Sequence, residues 1–182
     1  MKKLILLSIL VAIASGLHAQ KYLTRTGHIG FYSHTPIEDI VADNNQVASI
    51  LDVSNNELVF QALMKSFVFE RALMQEHFNE NYVESDKYPK ATFEGKIVLP
   101  KDLDLTKKGS YNVTVEGKLS MHGVTKDVKE PGQVVVNDDD ITAHSEFLVK
   151  PEDFNIEIPG VVRQKIANEI TVKVDMKYLP MK

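Results

Sequence analysis

The side chains best able to do chemistry in this sequence are few and scattered. Its six histidines are His18, His28, His34, His77, His122 and His144, and none has a second histidine two or four residues on, the spacing at which one strand face or helix turn aims two imidazoles at a metal. His28, His34 and His144 could ligate only by converging from separate strands. His122 stands before Gly123 in a predicted tight turn, where it serves backbone geometry, and His144 falls on the polar face of a predicted strand, so both are expected to be solvated. His77 lies on the apolar side of a predicted helix, where it either caps the core or touches the polar end of a ligand. The run Asp138-Asp139-Asp140 lacks the spaced carboxylate ladder of a calcium loop and reads as a solvated hairpin tip. Asp102 and Asp104 sit beside Pro100 in a loop, a poor setting for a paired acid and base. No nucleophile elbow, phosphate loop, dinucleotide fingerprint or H-E-x-x-H helix is present. No catalytic residue, metal ligand or cofactor site is therefore assigned.

What stands out is apolar. Phe60, Met64, Phe67, Phe69, Leu73, Met74, Phe78 and Tyr82 crowd a short stretch. Aromatic rings and flexible methionines suit a cavity wall, but filling a core is their commoner use, and composition alone leaves both open.

Period-two alternation dominates the elements that would position these residues. Over residues 111–122, Tyr111, Val113, Val115, Gly117, Leu119 and Met121 share one face, with polar residues on the other. The pattern recurs over 91–99, 141–149 and 170–178, and more weakly over 23–33, 46–53, 57–65 and 124–136, where Pro131-Gly132 suggests a bulge or an edge. Turn chemistry at 54–56, 107–109, 122–123 and 137–140 makes these about eight mostly antiparallel strands. Barrel and sandwich both satisfy the pattern. One segment departs from it: over 69–83 the apolar residues recur at three- and four-residue steps, predicting one amphipathic helix stopped before Pro89.

Residues 1–19 read as a secretory signal, with Lys2 and Lys3 ahead of an apolar run at 4–13 that is shorter than the roughly 18–20 residues a spanning helix needs. Cleavage after Ala19 would start the mature chain at Gln20 and export it to the periplasm. The sequence contains no cysteine, which excludes disulfides, thiolate metal sites and a lipidated N-terminal Cys. Removing Lys2 and Lys3 from the 21 basic residues leaves 19 against 25 acidic ones, a formal charge of −6, so nucleic acid is not an expected partner. Residues 20–182, about 160 in all, suit a single domain with a real core.

Particular residues then carry a resemblance. The stretch Val115-Glu116-Gly117-Lys118-Leu119-Ser120-Met121-His122-Gly123-Val124-Thr125-Lys126-Asp127-Val128 closely resembles the signature hairpin of the YceI-like family, a V-x-G-x-L-x-x-H-G-V-T-K-x-V pattern. Tyr88-Pro89-Lys90-Ala91-Thr92-Phe93 is similar to the family's segment after its helix, and Gly30-Phe31-Tyr32-Ser33 to its first strand. His28 is not at the family's early histidine position, and residues 33–40 are unlike the better-known members. The resemblance implies an all-β fold, an extended eight-stranded antiparallel β-barrel of lipocalin-like shape with one helix near its mouth, holding a polyprenyl or quinone-type lipid. On that basis the expected ligand-contacting residues are Phe60, Met64, Phe67, Leu73, Met74, His77, Phe78, Tyr82, Phe93, Tyr111, Val113, Val115, Phe147, Ile170 and Val172, and the helix is expected to serve as wall and gate. A periplasmic, non-enzymatic carrier or buffer of an isoprenoid-type lipid, in transient contact with membranes, is the expected function. The competing expectations are a metal-assisted or lipid-modifying enzyme and an interaction module without ligand.

Overall fold

The computed structural model describes residues 21–101 and 103–181; the expected signal at 1–19 lies outside the described residues. In chain order the strands are β1 (Lys21–His34), β2 (Asp39–Asp52), β3 (Glu57–Leu63), β4 (Val68–Phe69), β5 (Lys90–Val98), β6 (Gly109–Met121), β7 (Val124–Val136), β8 (Ile141–Val149) and β9 (Ile170–Pro180). Neighbours are antiparallel in the order β1-β9-β8-β7-β6-β5-β3-β2, and β2 pairs back onto β1, so eight strands close into a barrel rather than two packed sheets. Closure removes the exposed sheet edges that a sandwich keeps. The two-residue β4 pairs with β2 through Ala42–Phe69 and Asp43–Val68, continuing the line that β3 leaves.

Because every strand reverses direction, the connections fall at two ends. The lower end carries the turns at 53–56, 99–108 and 137–140. The upper end carries the β1–β2 hairpin, the helix, the β6–β7 hairpin and the long strap of residues 150–169 between β8 and β9.

The β6–β7 hairpin shows how residue type sets the register. Met121 faces Val124 across a two-residue turn, His122 and Gly123, with φ of 51° and 76°. Two positive φ values match the twist of the flanking strands, and the ladder then runs unbroken to Gly109–Val136. Pro131 therefore makes no bulge against β6, contrary to one of the two expected readings. It marks an edge: β7 pairs with β8 only over Gln133–Val136, and the proline, with no N–H to donate, stands just above the last rung. Gly95 and Gly117 face each other across β5–β6, and a Cβ on either would lie 2.5–2.8 Å from the Phe93 ring tip. Two glycines let that ring lie flat against the wall.

The lower half is mostly filled by side chains, apart from one small void of about 70 Å³. Leu51, Ile141, Val134 and Tyr178 are essentially without solvent contact. The Ser49 hydroxyl donates to the Val59 carbonyl at 2.7 Å, which leaves the Tyr178 hydroxyl to donate to Ser49 Oγ at 2.8 Å. Burial pushes the Tyr178 phenol up to about 12.

Two expected elements are corrected. Strand β2 begins at Asp39, seven residues before the expected 46, and the polar Asp43-Asn44-Asn45 is absorbed into it by register shifts against β1. Asn44 is fully buried there, its amide donating to the Leu63 carbonyl at 3.0 Å and its oxygen accepting from Gln46 N at 2.9 Å. The helix is shorter than the expected 69–83: Phe69 belongs to β4, and α1 spans 11 residues, Ala72–His77 as α-helix and Phe78–Tyr82 as a π-turn. The π-turn is closed by Val83 N donating to Phe78 O at 2.9 Å, five residues back.

Candidate ligand cavity

The upper half of the barrel is hollow. A cavity of about 430 Å³ opens at the top, within the range of roughly 300–1,000 Å³ usual for small-molecule sites. Strand β1 contributes Ile29 and Phe31, β3 contributes Phe60 and Ala62, β8 contributes Phe147 and Val149, and β9 contributes Ile170, Val172 and Val174. The segment from β3 into the helix adds Met64, Phe67, Leu73, Met74, His77, Phe78 and Tyr82.

One wall is aromatic. Phe78 lies 5.4 Å from Phe31, 5.7 Å from Phe67 and 5.1 Å from Phe69, ring centroid to centroid, in tilted and edge-on pairs. Such offset geometries are the favourable ones for aromatic pairs. The helix that carries Phe78 has no buried residue, and Leu73 is 60% exposed. Its apolar face is turned to the barrel mouth, where Met74, Phe78 and Tyr82 are half-buried against the core and Leu73 stands open. Burial against the apolar wall pushes the Tyr82 phenol up.

Most of the expected contact residues line this cavity, but four do not. Phe93, Val113 and Val115 line a separate void of about 70 Å³ lower in the barrel. Tyr111 lines neither, its hydroxyl donating to the Lys107 carbonyl at 2.8 Å at the lower end. Alternation identifies the inward face of β6 correctly, yet says nothing about depth, and β6 rises from Gly109 so that Tyr111 and Val113 sit low.

Sequence reasoning missed the strap. Phe154 and Ile156 are buried, and Ile156, Ile158, Val162 and Ile166 face the cavity. A connection of this length with so many branched apolar residues was itself the available signal, because plain loops are short and polar. The strap is tied down at several points. Ala167 N donates to Ser33 Oγ at 2.9 Å, Lys126 Nζ stands 3.6 Å from Asp153, and Lys165 Nζ stands 3.9 Å from Glu38. Glu38 also takes the Arg71 guanidinium, so one carboxylate at the rim holds both the start of the helix and the strap.

The histidines separate into different duties. His77 is at the cavity rim and exposed. His122 is not solvated as expected: its side chain is only 10% exposed, with Nδ1 2.9 Å from the Phe154 carbonyl and Nε2 2.9 Å from Glu84. Both partners can only accept, so either neutral tautomer donates to just one of them. The Tyr88 ring packs edge-on against it at 4.7 Å. The hairpin histidine thus joins the strap to the helix exit. His28 on β1 and His144 on β8 flank Asp175 of the intervening β9: His28 Nε2 is 2.8 Å from Asp43 and its Nδ1 3.6 Å from Asp175, and His144 Nδ1 is 2.7 Å from Asp175. Among the described residues no group of three His, Cys, Asp or Glu is placed to hold a metal ion, and no helix is long and apolar enough to cross a membrane.

Comparison with known proteins agrees with this architecture. No curated protein matches the sequence. Among solved structures the chain is similar to a polyisoprenoid binding domain from Saccharophagus degradans implicated in plant cell wall breakdown, with a TM-score of 0.75 at 15% identity, covering 90% of this chain and 100% of that one. It is similar also to BcnA of Burkholderia cenocepacia, TM-score 0.69 at 19% identity, covering 83% of this chain and 95% of that one. The YCEI protein of Campylobacter jejuni aligns with a TM-score of 0.65 at 15% identity, covering 82% of this chain and 90% of that one. The family model of the YceI-like domain matches residues 22–178, the whole barrel from β1 into β9, and the chain belongs to that family.

Proposed function

We propose that this protein is an exported carrier or buffer that holds a long apolar chain of the isoprenoid type in the upper half of its barrel, and that it is not an enzyme. The observation that carries this reading is the cavity itself: an open space of about 430 Å³ walled by aliphatic and aromatic side chains, with charge confined to the rim. Burial of apolar surface is worth about 25 cal/mol per Å², so a slender chain binds such a wall without a dedicated polar contact. The Saccharophagus degradans domain of the same fold is a polyisoprenoid binding domain, which supports the ligand class. The leader-like residues 1–19 support export to the periplasm. The binding role is supported further by His28, His122 and His144, which are held by carboxylate and backbone partners outside the cavity.

The test is direct. Organic extraction and native mass spectrometry of protein purified from the periplasm are expected to release a stoichiometric apolar lipid. Protein that arrives empty, and that takes up no prenol when one is supplied, would refute the carrier reading.

A further inference from the structure

The upper cavity and the lower void are neighbours inside one barrel, and Phe60, Leu119, Phe147 and Val174 line both. The wall between them is therefore one layer of side chains. Leu119 is buried, but Phe60 and Phe147, though they point inward, keep part of their surface free. Below, the Phe60 ring stacks on Phe93 at 5.3 Å and 12° between planes. Phe93 in turn lies against the Gly95–Gly117 pair, so the ring that supports the partition has a rigid backbone seat.

We infer that Phe60 and Phe147 form a partition that determines how long an apolar chain this barrel accepts. The inference rests on the carrier reading and deepens it. A chain entering from the mouth runs down the upper cavity and meets the two rings. Carbon atoms beyond that depth remain near the mouth in water and contribute little. With the rings removed, the space of about 70 Å³ beneath joins the upper cavity and receives the chain end. Each further buried carbon then adds affinity by the same hydrophobic term as those above it.

The experiment measures affinity for two homologous series, prenols of increasing length and linear n-alkanols, by displacement of the neutral dye Nile red. In the wild-type protein affinity is expected to rise by up to about a thousandfold for each added five-carbon unit that is fully buried and then to level off. In Phe60→Ala/Phe147→Ala the levelling-off moves to a longer chain. Ala143→Leu, which fills the lower void, is expected to leave the wild-type profile unchanged and to cancel the gain when added to the double variant. Phe60→Leu serves as a milder opening should the double variant lose its fold, with melting temperature recorded throughout. The partition is refuted by a levelling-off point that does not move in either opened variant. It is refuted equally by a wild-type profile that Ala143→Leu alone shortens, because the chain would then already reach the lower void. Shared behaviour of prenols and alkanols keeps the partition and removes the isoprenoid preference, whereas failure of both series to bind removes the carrier reading and the partition with it.

Discussion

The lower and upper halves of this barrel are built from the same eight strands, but they end in different states. Below the Phe60–Phe147 level the barrel is packed down to a single void of about 70 Å³: Leu51 and Ile141 have no solvent contact, and the Tyr178 hydroxyl has its partner in Ser49. Above that level the inward side chains stop short of one another and the space is roofed by a helix with no buried residue and by a strap. Strand closure alone therefore does not decide whether a small barrel is filled or hollow. The difference lies in what covers each end. At the bottom, strand residues and the buried Leu105 of the 99–108 connection close the end, while the top is held apart by segments pinned at their rims, through Glu38 on one side and His122 on the other.

If the lower half is core in the ordinary sense, truncating it must be costly. Leu51→Ala is expected to destabilise by about 2–5 kcal/mol, a fall in melting temperature of roughly 5–15 °C by thermal unfolding, with lipid content per folded protein unchanged. A fall of a degree or so would mean that this half collapses easily and that the contrast between halves is overstated.

The contrast is sharpest in a side-by-side measurement of Phe78→Ala and Val113→Ala. Truncating a buried phenylalanine in a filled core costs about 3–5 kcal/mol, but Phe78 faces a cavity and three other rings, so Phe78→Ala should cost less than that range and lose bound lipid. Val113→Ala is expected to lower the melting temperature with lipid occupancy retained. Full occupancy in Phe78→Ala together with a large drop in melting temperature would make the helix ordinary core and abolish its role as wall and gate.

Ser49→Ala tests the floor by chemistry instead of volume. It leaves the Tyr178 hydroxyl buried without its acceptor, an expected loss of about 1–3 kcal/mol, and Tyr178→Phe in the same background should recover part of it. No recovery would show that the pair is not coupled through that hydrogen bond.

The smallest effect belongs to Glu130, which shares the inward face of β7 opposite Val115 and lines the lower void. Partial burial raises its carboxyl pKa above the ordinary value. For a raised acid the unfolded state gives up its proton at lower pH than the folded state does, so this group lowers stability as pH climbs from the ordinary carboxylate value through the folded one. Glu130→Gln is accordingly expected to raise the melting temperature slightly, by about 1 °C, at neutral pH and not in acid below the ordinary carboxylate range. An equal change at both pH values would place the effect in packing and not in ionisation.

What the sequence by itself determined was period and punctuation. Alternation located the inward face of each main strand, His122-Gly123 set a two-residue turn, and the shift to three- and four-residue spacing located the helix within a few residues. These are local properties, dictated by backbone geometry and by which side chains tolerate it. Strand β2 was partly hidden by the polar Asp43-Asn44-Asn45, and only tertiary contact with the Leu63 carbonyl makes burying Asn44 acceptable. Closure, too, was decided by long-range pairing, since β1 meets β2 and β9 at once, and nothing in period two separates that arrangement from a sandwich. Depth was likewise a property of the assembled barrel. Phe60, Phe93, Val113 and Phe147 carry the same inward signal in sequence, but in the assembled barrel Phe93 and Val113 line only the small void while Phe60, the direct cross-strand partner of Phe93, and Phe147 line both spaces. Hydrophobic pattern reports that a side chain leaves water, and only the packed structure settles whether it meets another side chain or an open cavity.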